Sequence, residues 1–196
     1  MDSRTIETYT SGAASYAAEW ANQPAPDDLY ARLTQYFRPH GRTVDIGCGS
    51  GRDVAWLNTH GFPAVGYDAS EGLIAKAAAE YPQYAFGFAT LPELEDVSTA
   101  SFDNVLCETV IMHLPVAQIG PACRRLVELL RPGGVLYLSW RVTEGDSARD
   151  PAGRLYSAFD PALVTGALDG TTIPLSEEAV NRSSGKRVQR IVAIRA

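Results

Sequence analysis

The chain has 196 residues, 45% hydrophobic and 20% charged, with 17 Lys and Arg against 23 Asp and Glu for a formal charge of −6. That size fits one domain with one principal core. The acidic balance argues against a general binder of nucleic acid or anionic membrane, both of which demand a basic face.

No apolar run approaches the roughly 20 residues needed to span a bilayer. The polar start, Met1-Asp2-Ser3-Arg4-Thr5-Ile6-Glu7, lacks the apolar centre of a signal peptide. Cys48, Cys107 and Cys123 show neither metal-ligand nor C-x-x-C spacing and are expected as free, buried thiols, with no metal. These features together predict a cytoplasmic protein.

Ile6, Tyr9, Ala13, Tyr16, Ala17 and Trp20 recur every three or four positions, which predicts an amphipathic helix over 6–22 interrupted near Gly12. Pro24 and Pro26 end it, and Asp27 is expected to cap a second helix carrying Leu29, Leu33 and Phe37. A β-branched and apolar run, 43–46, then leads into Gly47, Gly49 and Gly51, followed by a helical pattern from Asp53 that stops at Gly61. A strand over 63–68 ends in Asp68. Ser70 is placed to cap a helix whose Leu73, Ile74, Ala77 and Tyr81 share a face.

Strands are expected at 84–88 and 102–108, the first followed by an acidic loop at 93–96. Pro115, Gly120 and Pro121 punctuate the next helix, predicted for 122–130. Pro132-Gly133-Gly134 turns the chain into the apolar strand 135–140. Residues 141–153 read as a polar surface loop, and Asp160-Pro161 starts a short helix to 168. An alternating strand over 186–195 closes the chain, paired antiparallel with one near 179–181. Strands that alternate with helices and read as apolar runs indicate a buried parallel sheet covered on both faces. The chain is expected to form one domain over 1–196, with a helical segment 1–40 ahead of the sheet and closing strands within 141–196.

The glycine turn carries the first chemical signal. Glycines permit positive φ and leave no Cβ between backbone and ligand, and the helix that follows aims free N–H groups at the turn. Dinucleotide enzymes space theirs as G-x-G-x-x-G. Here the glycines alternate and Asp45 precedes them, which suits a cation better than a pyrophosphate. Asp68, at the end of the second strand, suits a ribose diol, because one carboxylate accepts both hydroxyls.

These residues resemble the class I S-adenosylmethionine-dependent methyltransferases. Val44-Asp45-Ile46-Gly47-Cys48-Gly49-Ser50-Gly51 is similar to their first motif, and Gly66-Tyr67-Asp68-Ala69-Ser70 to their ribose motif. Ser101-Phe102-Asp103-Asn104-Val105 and Leu130-Arg131-Pro132-Gly133-Gly134-Val135-Leu136 are similar to the entries of their fourth and fifth strands. The resemblance implies a Rossmann-like, doubly wound α/β fold: a seven-stranded sheet, mostly parallel with an antiparallel last strand, and helices on both faces.

It also implies S-adenosylmethionine as cofactor, with 1–40 as a helical lid and 141–196 as substrate cover. Asp45 and the backbone of Gly47, Cys48, Gly49, Ser50 and Gly51 would hold its methionine end. Asp68 and Ser70 belong to the ribose motif, and Ala69 and Leu73 would flank the adenine. Ala89, Thr90 and Leu91 would meet the adenine edge, although Ala89 stands where many relatives carry an acid. Cys107, Glu108 and Thr109 would lie beside the methyl group. Tyr16 on the lid is expected to touch the cofactor, Tyr9 the substrate, and Trp20 to pack in the core. Arg52 either touches the cofactor or, with Asp53, simply opens the helix.

Methyl transfer from a sulfonium is an in-line displacement that needs positioning first. A hydroxyl or ammonium acceptor would also need a base. His113 is the candidate, with an unperturbed pKa of about 6.5, and helix capping or core hydrogen bonding is its structural alternative. Trp140 and Arg141 close the fifth strand at the ligand-binding edge of the sheet. Arg141 would suit an anionic substrate, or else is a surface arginine in a mobile loop.

The end of strand four lacks the Asn/Asp-Pro-Pro-Tyr/Phe pattern of enzymes that methylate planar amino groups, and no Pro-Cys dipeptide marks a cytosine nucleophile. The expected acceptor is a small molecule, in a monomer or homodimer. The short region after strand five favours a compact one, a metabolite or a soft thiol or chalcogen. A nicotinamide-dependent reductase and a non-catalytic cofactor-binding protein are the competing readings.

Overall fold

The computed structural model describes residues 1–196. Helices α1 (Ser3–Ser11), α2 (Ala13–Ala21) and α3 (Asp27–Tyr36) lead into β1 (Thr43–Ile46), α4 (Arg52–Thr59), β2 (Ala64–Asp68), α5 (Glu71–Glu80) and β3 (Ala85–Phe88). Then follow β4 (Phe102–Cys107), a single 3-10 turn (Ile111–His113), α6 (Val116–Leu129) and β5 (Leu130–Arg141). A short hairpin of β6 (Ala148–Arg149) and β7 (Leu155–Tyr156), then α7 (Pro161–Thr165), β8 (Thr171–Val180) and β9 (Arg187–Arg195), complete the chain.

Seven strands form one sheet in the order β3-β2-β1-β4-β5-β9-β8. Neighbours from β3 to β5 pair parallel, and β9 runs antiparallel to both β5 and β8. The order reverses at β1 and β4, so their carboxyl ends frame the crevice where open α/β sheets bind ligands.

The strand period of two splits the core. Val44, Ile46, Val105, Cys107, Leu136 and Leu138 face a 28-residue cluster completed by Leu126 and Leu129 of α6 and Val164 of α7. Leu106, Val135, Tyr137 and Val192 face the other side, against Leu29, Leu33 and Phe37 of α3 and Leu57 of α4. No helix is long and apolar enough to cross a membrane.

Several local expectations shift. Gly12 does interrupt the first helix. Asp27 lies inside the first turn of α3, with Pro26 as the cap, so its carboxylate meets the helix dipole without capping. Pro121 sits within α6. There it supplies no N–H to the helix and crowds the preceding turn, while the residue before it, Gly120, offers no Cβ for the ring to strike. α7 ends three residues early, at Thr165 before Gly166, while β8 begins eight residues earlier than the strand expected near 179. The expected loop 141–153 carries β6, paired with β7. All three cysteines are free and buried.

Candidate active site

At the crevice lies a cavity of about 350 Å³, within the usual size range of small-molecule sites. Of the residues expected to hold a cofactor, the wall contains Gly47, Cys48, Gly49, Ser50 and Arg52 from the glycine turn. Asp68 ends β2 with Ala69 and Leu73 beyond it, Ala89 and Leu91 follow β3, and Glu108 and Thr109 follow β4. Tyr9, His113 and Arg141 also line it.

The remaining expected residues stand outside the wall, each for a local reason. Asp45 is buried, one residue before wall-forming Ile46. Gly51 is the left-handed cap of α4 (φ 88°), where a Cβ would meet the Phe86 ring at 2.9 Å. Ser70 caps α5, accepting from the Leu73 N–H at 3.2 Å. The Thr90 carbonyl accepts from the Leu94 N–H at 2.8 Å.

Cys107 and Trp140 are corrections of register. Both side chains fall on the α6 face of the sheet and are buried in the large cluster, and Trp140 packs its ring 5.5 Å from Phe159. Their successors Glu108 and Arg141 line the cavity in their place. Tyr16 backs the wall, stacked on Trp20 with ring centroids 5.8 Å apart. Trp20, expected in the core, is itself wall-forming, and a Cβ on Gly49 would lie 3.0 Å from its ring.

The glycines of the turn all take positive φ, at 82°, 55° and 88°. Their small size also serves the protein's own packing. A Cβ at Gly47 would lie 2.2 Å from Val110, and one at Gly51 would be 3.1 Å from Ala77 of α5. Such positions tolerate no side chain without moving the turn.

One half of the cavity is acidic. The Asp68 carboxylate accepts from the Gly49 N–H at 2.9 Å and the Ser70 N–H at 2.8 Å, which fixes it while leaving lone pairs free. Burial raises its pKa, opposed by those N–H groups. Asp53 accepts from the Tyr30 hydroxyl at 2.9 Å and the Arg52 Nε–H at 3.1 Å. Glu108 accepts from Asn181 Nδ2 at 3.0 Å and from the Ser139 hydroxyl. Burial, reinforced by the charges of Asp53 and Asp28, pushes Glu108 up to about 7 against the opposing Ser139 hydrogen bond and Arg190 charge. Asp45 is raised as well, by burial first and then by Asp53, Asp68 and Glu108. Carboxylates crowded in this way favour a bound cation, which relieves their mutual repulsion.

Thr109 follows Glu108 with φ 54°, held by its N–H to the Ser139 carbonyl at 3.1 Å. A non-glycine residue in that region is uncommon, and such strain collects at functional sites.

The other half is aromatic and basic. The Arg154 guanidinium lies 5.0 Å from the Tyr16 ring centroid, 5.3 Å from that of Tyr9 and 5.7 Å from that of Tyr156. It pairs with Asp150 at 2.7 Å and donates to the Tyr9 hydroxyl at 3.1 Å. His113 Nδ1 is 2.5 Å from the Leu155 carbonyl, an acceptor only, so this nitrogen carries the proton. Nε2 then accepts from the Tyr9 hydroxyl at 3.1 Å. Burial is the main cause that lowers the His113 pKa to about 4, with the Arg154 charge adding to it. His113 is therefore a neutral imidazole with both nitrogens engaged, and Tyr9 occupies the lone pair that a general base would offer.

Sequence reasoning missed Trp20, Arg154, Tyr156 and Asn181. Trp20 and Tyr156 at least carried the signal of large aromatic side chains, whereas Arg154 and Asn181 lie in polar stretches without periodicity.

Residues 44–136, from β1 into β5, match the family model described as a methyltransferase domain. The matched segment, 93 of the 196 residues, contains the glycine turn, Asp68 and Glu108. A curated relative, the trans-aconitate 2-methyltransferase of Deinococcus radiodurans, is 36% identical over 113 residues, 56% of this chain and 40% of that protein. The chain spans less than half the length of the curated relatives it matches first.

Among solved structures, the Burkholderia thailandensis 1,6-didemethyltoxoflavin-N1-methyltransferase, with bound 1,6-didemethyltoxoflavin and S-adenosylhomocysteine, superposes with a TM-score of 0.75. The identity is 23%, over 98% of this chain and 88% of that one. The magnesium protoporphyrin IX methyltransferase of Synechocystis PCC 6803, with bound S-adenosylmethionine, gives 0.74 at 19% identity, over 100% and 98%. These likenesses establish the fold.

Proposed function

We propose that the chain is a cytoplasmic enzyme that transfers a methyl group from S-adenosylmethionine to a small-molecule acceptor, with residues 1–196 working as one unit. The acidic half of the cavity carries this reading. Asp53, Asp68 and Glu108 line the cavity beside the glycine turn with Asp45 buried behind them. Burial holds Asp45, Asp68 and Glu108 above their ordinary range, and neighbouring carboxylates add to it at Asp45 and Glu108. That environment suits a sulfonium bearing an ammonium group and repels a pyrophosphate.

Asp68 is assigned the ribose hydroxyls. The Gly47–Ser50 backbone and Glu108 take the methionine portion, and Ala69, Leu73, Ala89 and Leu91 the adenine. Bound there, S-adenosylmethionine supplies an electrophilic methyl group. Tyr9, Met112 and Arg141 then orient the acceptor, and the lid helices α1 and α2 exclude water. In this reading His113 positions the Tyr9 hydroxyl and removes no proton itself. The negative charge of the chain speaks against a nucleic-acid acceptor, and the proposed assembly is a monomer or homodimer.

Isothermal titration with S-adenosylmethionine, S-adenosylhomocysteine and reduced nicotinamide dinucleotide tests the assignment. The first two are expected to bind and the third not. Asp68→Ala should weaken both by at least tenfold, because the ribose loses a charged acceptor and the Gly49 N–H its partner. Binding of the nicotinamide alone would replace this reading with a reductase. Binding of S-adenosylmethionine without transfer of labelled methyl to any of a broad acceptor panel would leave a non-catalytic protein.

A further inference from the structure

Four cationic side chains line the cavity, those of Arg52, Arg141, Arg154 and Lys186. Two have counter-charges in place: Arg52 pairs with Asp53 at 3.1 Å and Arg154 with Asp150 at 2.7 Å. Lys186 is exposed to solvent. Arg141 differs from all three. It is half-buried and takes part in none of the molecule's ion pairs. Its guanidinium rests over the Tyr156 ring, 5.1 Å from the centroid. A cation partly removed from water and balanced only by a ring face gains most from an anion delivered with the ligand.

Its height on the sheet says which ligand. β4 ends at Cys107, in register with Leu138, and β5 continues three residues to Arg141. At the strand rise this is about 10 Å further along the strand. The turn, Asp68 and Glu108 all sit at the ends of the shorter strands, so Arg141 stands beyond the cofactor residues and toward the β6–β7 hairpin. There it meets a wall of planar groups: Tyr156, with His113 edge-on to it at 4.9 Å, and Tyr9 with its ring 6.1 Å from that of Trp20.

We infer that the acceptor is a planar, ring-containing carboxylate, its acid group paired with the Arg141 guanidinium and its ring lying against Tyr156 and Tyr9. A guanidinium fork matches a carboxylate two bonds to two, and aromatic walls select flat acceptors. This rests on the methyl-transfer reading of the same cavity. The carboxylate of the cofactor itself is the other anion within the site, and the test separates the two.

Protein saturated with S-adenosylhomocysteine is titrated calorimetrically with 4-hydroxybenzoate and with the uncharged, nearly isosteric 4-hydroxybenzamide. The benzoate is expected to bind at least tenfold more tightly than the amide. Arg141→Gln should remove that preference while changing S-adenosylhomocysteine affinity less than twofold, and Arg141→Lys should keep part of it. Equal binding of acid and amide, or binding of neither, overturns the inference. So does an Arg141→Gln variant that loses cofactor affinity as strongly as acid affinity, because the anion would then be the cofactor's. Failure of the unaltered protein to bind S-adenosylhomocysteine would instead remove the methyl-transfer reading beneath it.

Discussion

Glu108 shows how much one residue's environment decides. Its carboxylate sits at the end of β4 between Ser139 and Asn181, facing other acids, and titrates at about 7 instead of 4.5. A carboxyl whose folded pKa is raised leaves stability intact below the unfolded value, and stability is lost as pH rises from about 4.5 through about 7. The displacement is worth at most about 3 kcal/mol, less for the part still open to solvent. Glu108→Gln keeps the shape and the bond from Asn181, while its NH2 donates to the Ser139 hydroxyl instead of accepting from it. It should make the ligand-free protein more stable above about pH 7 and flatten its stability between about pH 4.5 and 7. The same ionisation favours a cation. The affinity ratio of S-adenosylmethionine over S-adenosylhomocysteine should therefore climb several-fold between pH 5.5 and 8 in the unaltered protein, and less in Glu108→Gln. Urea unfolding and calorimetry across that range check both halves. A ratio independent of pH would mean that Glu108 does not sense the sulfonium.

At the scale of elements, the sequence is legible where signals are local. The turn after β1, Asp68 at the end of β2 and the Ser70 cap are each set by a few adjacent residues, and the alternation of apolar strands with periodic helices yields the sheet. What stays hidden depends on contacts far apart in the chain. The β6–β7 hairpin has two residues per strand and no apolar alternation. It is held instead by α1: Asp2 pairs bidentately with Arg149 at 2.9 and 2.8 Å, and the Thr5 hydroxyl accepts from the Leu155 N–H at 2.9 Å. A helical stripe says that Trp20 faces inward, but the stripe is the same whether inward means core or cavity.

The lid's seat is equally invisible in sequence. Gly72, in the first turn of α5, lies so close to the α1–α2 junction that a Cβ would fall 2.5 Å from the Thr10 carbonyl oxygen and 3.0 Å from the Ala13 Cβ. In an open helix Gly→Ala gains roughly 0.5–1 kcal/mol. Here a backbone oxygen blocks the methyl group, so Gly72→Ala should lift α1 and α2. The expected result is faster hydrogen exchange over residues 3–21 and several-fold weaker S-adenosylhomocysteine binding, with protection of β1, β4 and β5 unchanged. A uniformly stabilised variant would show that the lid is not seated on Gly72.

For the whole molecule, what holds the fold and what builds the site overlap only along one wall, where Ile46, Ala89, Leu91, Val110 and Met112 belong to both the core cluster and the cavity. The 28-residue cluster lies largely between the sheet and α6, whereas the acceptor half of the cavity is roofed by α1, α2 and the hairpin, through polar and aromatic contacts. Leu126 of α6 is fully buried in that cluster and absent from the cavity wall. Leu126→Ala should cost about 2–5 kcal/mol through lost burial and the void it leaves, read as a lower urea midpoint. Folded Leu126→Ala should nevertheless bind S-adenosylhomocysteine with unchanged affinity, because the strand ends that carry Glu108 and Asp68 stay fixed by their own hydrogen bonds. Linkage then requires a given ligand concentration to add the same free energy to variant and unaltered protein, since that increment depends only on the ratio of concentration to Kd. A smaller increment in Leu126→Ala would mean that the void reaches the cavity and that core and site form one cooperative unit.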